Sequence, residues 1–282
     1  HLVVVRVEAF ADIACIFLDA LAGVIAVRDL VTQAAAKADI TERPLDLVDL
    51  LIGMVVVVVC FSVYFVTLAP GRLRGTSGEF QTLAAAPGYA HPIGSTIYVL
   101  LTQLATLPHG VEVARSVNLL SAIIGALAAG LLYLLARSLV GRRWISVAGA
   151  AALAVSPAFW SQAILAGPHV LATGMTVAVL LAACVWQRTS RPRWLFAAGW
   201  LTAMGLGVHA CVVLAAPALL VLVLFSPRRW IVSLAAVGGG AAVGLVFLLA
   251  GVWVSDRSDR PTRSFRTVRG RSGWGGGRGG DG

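Results

Sequence analysis

The chain has 282 residues, of which 59% are hydrophobic and only 12% are charged. Soluble domains carry about 25% charged side chains, so this composition excludes a water-soluble enzyme and a disordered regulator and predicts a multi-pass membrane protein. The net charge of +9 does not indicate nucleic-acid binding, because outside the C-terminal tail the basic residues lie mostly in short turns between apolar segments.

The apolar segments predict an all-α, polytopic membrane helix bundle. Residues 1–45 mix apolar stretches with charges, which is typical of an amphipathic or peripheral helix. A transmembrane module is expected over residues 46–254, and residues 255–282, rich in Arg and Gly, are expected to be disordered. The short pair 194–208 and 210–225 is alternatively one tilted helix. The seven expected membrane helices are 50–69, 116–136, 145–163, 169–186, 194–208, 210–225 and 231–254.

A long polar loop, residues 71–115, follows the first expected membrane helix and contains possible short helices at 77–86 and 93–107. Eight arginines lie in the turns assigned to the other side of the membrane, whereas the loop side holds only Arg72, Arg74 and Arg115. Because arginine is enriched on the cytoplasmic side, we expect loop 71–115 to face outward, toward the periplasm or lumen.

The ionisable residues of the expected module collect at this same face. Between Leu51 and Val254 the chain contains two carboxylates, Glu79 and Glu112, and both lie in loop 71–115. His91 and His109 are also in the loop, and His169 and His209 are expected near the same face. Such groups are costly near hydrocarbon and tend to be functional, although polar residues also collect in any long loop. The spacing of His, Cys and acidic residues indicates no metal site.

Five motifs follow one another along the chain: Gly75-Thr76-Ser77-Gly78-Glu79-Phe80, Ala90-His91-Pro92-Ile93-Gly94-Ser95-Thr96-Ile97-Tyr98, Arg115-Ser116-Val117-Asn118-Leu119-Leu120-Ser121, Phe159-Trp160-Ser161-Gln162-Ala163 and Leu206-Gly207-Val208-His209. Over about residues 50–254 this series resembles the bacterial membrane family related to the eukaryotic transmembrane protein O-mannosyltransferases, within the GT-C superfamily of glycosyltransferases. The chain departs from the family pattern at Thr76, where the family usually has Asp, and at Ile93, where it has Pro. An acidic residue that commonly follows the Gln162-Ala163 pair is also missing.

The resemblance implies transfer of a mannose-like sugar from a polyprenyl-phosphate donor to a protein or glycan hydroxyl on the outer or luminal face. It implies that Glu79 is the general base, since the acceptor hydroxyl must lose its proton during attack. Participation of a divalent metal is left open. The residues that the resemblance places on the substrate are His91, Arg115, Arg72, Arg74, Asn118, Gln162 and His209.

Several of these residues also have a structural interpretation. Thr76 and Glu79 have the spacing of a capping box, Arg115 is alternatively an interfacial anchor, and Asn118 and Gln162 are suited to interhelical hydrogen bonds. Two other functions remain open: a membrane transporter of a small molecule or lipid, and an inactive, truncated relative of the glycosyltransferase. A transporter typically places charged groups at the bilayer midplane. The expected membrane helices have no charged residue near their middle, so the sequence does not favour a transporter.

Overall fold

The computed structural model describes residues 45–72, 75–85, 95–107, 112–224 and 230–258. Within these ranges the chain forms helices and turns and no strand, which confirms the all-α prediction. Residues 1–44, from the expected peripheral segment, and 259–282, from the expected tail, lie outside them. The described helices are α1 (Leu47–Val66), α2 (Thr76–Ala85), α3 (Thr96–Ala105), α4 (Val113–Val140), α5 (Arg143–Val155), α6 (Pro157–Ala163), α7 (His169–Thr189), α8 (Pro192–Leu206), a 3-10 helix (Ala210–Leu214), α9 (Ala215–Leu224) and α10 (Trp230–Ser258).

Four described helices, α1, α4, α7 and α10, are long and apolar enough to cross a membrane, and the bent pair α5–α6 raises this number to five. The seven membrane helices expected from the sequence are therefore not confirmed. The expected helix 194–208 corresponds to α8, which has 15 residues, and α9 has only 10. A helix needs about 20 apolar residues to span the hydrocarbon core, so these two are too short to cross it unaided.

The expected helix 145–163 is not continuous, because the chain bends by 67° between α5 and α6. Ser156 lies at the bend with extended backbone angles, and its side-chain oxygen accepts a hydrogen bond from the Phe159 backbone N–H. Pro157 follows as the first residue of α6, a position where its missing N–H costs no helical hydrogen bond. The local sequence therefore ends one helix and starts another.

Helix α4 forms the centre of the bundle and packs against α1, α2, α3, α5, α6 and α7. Small residues on α4 allow these close contacts. A Cβ added at Gly125 would lie 2.9 Å from the Cβ of Ala163, and one added at Gly174 of α7 would lie 3.3 Å from the Cβ of Ala128. The small-residue run 125–130 therefore serves helix packing. The run 238–244 does the same, because Gly240 and Gly244 of α10 lie against the backbone of α8.

Contacts between helix ends define two ends of the bundle. At the first, which we call the loop end, Ala69 N–H donates to the Ile164 carbonyl (3.3 Å) and Ile97 N–H donates to the Gly207 carbonyl (3.0 Å). The loop end comprises residues 67–72, 75–85, 95–98, 112–118, 164–169 and 207–211. At the opposite end, which we call the turn end, Asp49 contacts Arg137 and Arg143. The turn end comprises residues 45–49, 137–143 and 188–192.

Candidate functional site at the loop end

Asn118 joins three segments at the loop end. Its side chain is fully buried, and its Nδ2 donates to the Ala69 carbonyl at 3.1 Å. Its Oδ1 accepts a hydrogen bond from Gln81 Nε2 at 3.0 Å, and the same Gln81 nitrogen lies 3.4 Å from the Gly71 carbonyl. Asn118 thus forms the interhelical hydrogen bonds that its sequence position allowed. Together with Gln81 it fixes α2 against α4 and against the chain that leaves α1.

Glu79 lies in the first turn of α2 and is partly exposed. The helix begins at Thr76, and Glu79 N–H donates to the Gly75 carbonyl at 3.1 Å. Gly75, with φ of 70°, lies directly before the helix, and the capping box expected from Thr76 and Glu79 stays a prediction. The next two residues, Phe80 and Gln81, are buried, so the turn of α2 that carries Glu79 is held against the bundle.

Tyr98 of α3, the last residue of the second motif, is a central residue of the loop end to which the sequence analysis assigned no role. It is fully buried and its ring meets that of Phe80 edge to face, with 5.1 Å between centroids. The Gly167 N–H donates to the Tyr98 hydroxyl at 2.8 Å, and this hydroxyl lies 2.8 Å from Ser121 Oγ. Burial raises the pKa of Tyr98 to about 12. The protonated phenol therefore joins α2, α3, α4 and the turn before α7.

Two histidines meet at the loop end although 40 positions separate them in the sequence. The ring centroids of His169 and His209 lie 5.4 Å apart. His209 Nδ1 accepts a hydrogen bond from the Cys211 N–H at 3.3 Å, so in the neutral ring the proton resides on Nε2. The sequence placed both histidines at one face, but only His209 was assigned to the site.

The first turn of α3 holds both histidine-bearing turns in place. Ile97 N–H donates to the Gly207 carbonyl at 3.0 Å, and Ser95 Oγ donates to the Val208 carbonyl at 3.4 Å. On the other side of the same turn, Tyr98 is bonded to Gly167. Residues from loop 71–115 therefore position His169 and His209 relative to each other.

The remaining predicted residues differ in how closely they join this group. Gln162 is partly exposed. Both Gln162 and His169 lie beside Gly167: a Cβ built on Gly167 would be 3.6 Å from Gln162 Oε1 and 3.8 Å from His169 Cδ2. Arg72 and Arg115 are exposed at the loop end. His91 and Arg74 lie outside the described residues. In the part of the chain that the structure describes, no three His, Cys, Asp or Glu side chains could hold a metal ion.

A second group of ionisable residues lies at the turn end, which the sequence analysis did not anticipate. The first membrane helix starts at Leu47 rather than at residue 50, so it includes Asp49. Asp49 Oδ1 accepts hydrogen bonds from Arg137 Nε at 3.0 Å and from Arg143 Nε at 2.8 Å. Arg143 Nη2 also contacts Asp46 at 2.7 Å. Ionisable groups therefore occupy both ends of the bundle, and the pair Asp46-x-x-Asp49 before the first apolar run was the available signal.

These helices define an integral membrane protein of the helical-bundle class, with a buried polar network under a partly exposed carboxylate at the loop end. Residues 76–233 match the family model described as the protein O-mannosyl-transferase TMEM260 N-terminal domain. This match covers more than half of the chain, and the chain therefore belongs to that family. It includes Glu79, Asn118, Gln162, His169 and His209.

Two relatives are similar to part of the chain. The protein O-mannosyl-transferase tmem260 of Dictyostelium discoideum is 28% identical over 135 residues, which cover 47% of this chain and 16% of the relative. Protein O-mannosyl-transferase TMEM260 of Mus musculus is 36% identical over 107 residues, which cover 37% of this chain and 15% of the relative. The chain thus matches about one sixth of each relative's length. No solved structure gave a significant match.

Proposed function

We propose that this protein is a membrane glycosyltransferase that moves a sugar from a polyprenyl-phosphate donor to an acceptor hydroxyl at the loop end. The observation that carries the proposal is the family match over residues 76–233, which begins at the helix that bears Glu79. The names of the two relatives support mannose as the sugar and a protein hydroxyl as the acceptor.

In the proposed reaction the acceptor oxygen attacks the anomeric carbon of the donor sugar. The bond between that carbon and the phosphate oxygen breaks, and the polyprenyl phosphate leaves. Glu79 accepts the proton that the acceptor hydroxyl loses, which is the usual role of a general base and contributes about 10²–10⁴-fold to the rate. The partial exposure of Glu79 supports this role, because the carboxylate must reach a substrate from solution.

The leaving phosphate needs cationic or hydrogen-bonding partners. Arg72 and Arg115 are exposed at the same end of the bundle as Glu79 and are assigned to this task, with Arg74 and His91 as further candidates from the sequence. Gln162 and His209 are assigned to contacts with the donor. Gln81 and Asn118 act as positioning residues, because their hydrogen bonds hold α2 and the chain before it on α4.

The proposal places the loop end on the outer side of a bacterial inner membrane. Its support is the excess of arginine in the turns that the sequence assigns to the opposite side of the membrane, eight residues against three, since arginine is retained on the cytoplasmic side. A polyprenyl-phosphate sugar presented in the outer leaflet would then reach Glu79 without crossing the membrane again.

The test compares Glu79→Gln with a matched variant, Glu112→Gln. Both carboxylates lie in loop 71–115, but Glu112 is exposed at the N-cap of α4 and caps no backbone N–H with its side chain. The full chain is reconstituted with radiolabelled polyprenyl-phosphate mannose and a peptide rich in Ser and Thr, and label released from the lipid is measured with and without the peptide.

We expect Glu79→Gln to lower transfer by at least about 100-fold, with unchanged thermal stability, and Glu112→Gln to retain the parent rate. Equal rates for Glu79→Gln and the parent would reject Glu79 as the base. Flux of the mannosyl lipid across the membrane with no release of label would instead favour a transporter.

A further inference from the structure

A groove of about 510 Å³ lies between α7 and the segment formed by the 3-10 helix and α9. It begins at His169 and extends along α7 to Leu180, a distance of roughly 16 Å at the rise of an α-helix. Leu214, Ala215 and Ala218 line the opposite wall. The groove therefore runs from the loop end into the apolar part of the bundle.

The wall of the groove is apolar along its length. Its two threonines donate their hydroxyl protons back to their own helix, Thr173 to the His169 carbonyl at 3.0 Å and Thr176 to the Ala172 carbonyl at 2.9 Å. Back-bonded hydroxyls of this kind need no other donor or acceptor. A hydrocarbon chain in the groove would therefore leave no polar group of these side chains unsatisfied.

The mouth of the groove has a different chemistry. His169 lies at the mouth, and the His209 ring is 5.4 Å from it. Because His209 Nδ1 accepts the Cys211 N–H, the Nε2–H of the neutral ring is available as a donor. Two imidazoles at one end of an apolar groove suit a ligand that has an anionic head and a hydrocarbon tail.

The groove is also open along one side. Leu214 is 71% exposed and Cys211 is exposed at the same edge. A hydrocarbon chain can therefore enter the groove from its side. At the mouth, the first turn of α3 is bonded to Gly207 and Val208, so the histidines adjoin the same loop-end network that carries α2 and Glu79.

We propose that this groove binds the isoprenoid chain of the lipid-linked donor and that His169 and His209 bind its phosphate. This assignment rests on the proposed function and adds His169 to the donor site. An isoprenyl phosphate matches the apolar wall and the histidine-lined mouth of the groove, because its single hydrocarbon chain ends directly in a phosphate. A free phosphate would leave the apolar wall empty, and a diacyl phospholipid carries two chains.

The test uses photo-crosslinking of the full chain in phosphatidylcholine vesicles, with an isoprenyl phosphate that bears a diazirine in its chain. Ala218→Trp places an indole in the groove, whereas Leu220→Trp places the same side chain on the same helix at a position that is 49% exposed and does not line the groove. Cys211→Trp blocks the exposed edge and serves as a second groove variant if Ala218→Trp fails to fold.

We expect the groove variants to reduce crosslinking by at least about tenfold, because the indole fills the space that the chain needs, and Leu220→Trp to match the parent. In the double variant His169→Gln and His209→Gln, the preference for isoprenyl phosphate over isoprenyl alcohol should fall by about tenfold, as expected for lost hydrogen bonds to a charged group. Crosslinking that is unchanged in both groove variants would overturn the proposal. Equal competition by diacyl phosphatidic acid would also overturn it.

Crosslinking requires neither an acceptor nor transfer, so Glu79→Gln should label like the parent chain. Specific labelling without any transferase activity would reject the proposed function and leave the groove assignment supported. Transfer that persists in Ala218→Trp with normal labelling would reject the groove and leave the proposed function standing.

Discussion

Asp49 Oδ1 accepts a hydrogen bond from Arg137 Nε at 3.0 Å, which pairs the first turn of α1 with the last turn of α4 across 88 residues of sequence. Asp49 is fully buried and Arg137 is only 7% exposed. Arg143 completes the group with a second hydrogen bond to the same oxygen at 2.8 Å. Removal of one partner from such a pair leaves a charge buried without compensation.

We therefore expect Asp49→Ala to lower the free energy of unfolding by about 3–5 kcal/mol. Asp46→Asn is the matched control, because Asp46 is half-exposed and Asn also serves as an N-cap. The midpoint of thermal unfolding in detergent micelles measures both. Adding Arg137→Met to Asp49→Ala should restore part of the loss. Similar midpoints for Asp49→Ala and Asp46→Asn would contradict the role of the buried pair.

The Tyr98 hydroxyl should contribute to stability through the two hydrogen bonds that it forms. In Tyr98→Phe the Gly167 N–H loses its acceptor, and an unsatisfied buried group costs about 1–3 kcal/mol. Tyr133→Phe provides a control, because the Tyr133 hydroxyl lies 3.5 Å from its acceptor on Asp49 and its loss should cost less. Thermal unfolding of the two variants side by side tests this ranking, and the reverse order would refute it.

The stability that Tyr98 provides should also depend on pH at the alkaline end. Burial raises its pKa from 10.0 to about 12, so the folded state favours the protonated phenol. The advantage of the parent over Tyr98→Phe is then complete below pH 10 and declines as the pH rises from 10 toward 12. Chemical unfolding of both proteins at several alkaline pH values measures this difference. A constant difference up to pH 12 would argue against a raised pKa.

The contact between α8 and α10 should be sensitive to the size of particular glycines. A Cβ added at Gly244 would lie 2.7 Å from the Trp200 carbonyl oxygen and 2.8 Å from the Cβ of Ala203, whereas one added at Gly238 meets nothing within 4 Å. Gly244→Ala should therefore destabilise the protein by about 1–3 kcal/mol through overpacking. Gly238→Ala should be neutral or slightly stabilising, as Ala is the better helix former. Equal unfolding midpoints would contradict this packing.

The proposed orientation makes Cys211 a reporter of the outer surface. Cys211 is exposed at the loop end, and the partial burial of its thiol raises its pKa. In a variant that lacks Cys15, Cys60 and Cys184, a membrane-impermeant maleimide should label Cys211 in intact cells. The rate should rise with pH as the reactive thiolate forms.

Arg191→Cys in a cysteine-free background is the control for the opposite side, because Arg191 is exposed at the turn end. It should be labelled only after the cells are permeabilised. Labelling of Arg191→Cys but not of Cys211 in intact cells would reverse the orientation and place Glu79 on the cytoplasmic side.

Several elements followed from local sequence. The apolar runs predicted the long helices α1, α4, α7 and α10, because burial of backbone polar groups in hydrocarbon requires a helix. Short helices at 77–86 and 93–107 correspond to α2 and α3. The motif series from Gly75 to His209 predicted the family. Each of these signals lies within a short stretch of chain, where spacing and hydropathy are sufficient.

The number of membrane-crossing helices could not be predicted from local sequence. Hydropathy did not reveal the 67° bend between α5 and α6, which depends on the capping geometry of Ser156 and Pro157. Hydropathy also did not show that the first helix starts early enough to include Asp49, because an acidic residue lowers the hydropathy of the segment around it. In the folded protein, Arg137 of α4 and Arg143 of α5 compensate the charge of Asp49.

The sequence by itself determined that the protein is an all-α membrane protein with a polar loop and a candidate base at Glu79, since composition and residue order contain that information. Only the tertiary structure decided which polar groups meet: Asp49 with Arg137, Asn118 with Gln81, Tyr98 with Gly167 and His169 with His209. The members of these pairs lie between 37 and 88 residues apart. Such long-range pairings depend on how small residues allow the helices to approach one another, a property of the packed bundle rather than of any single segment.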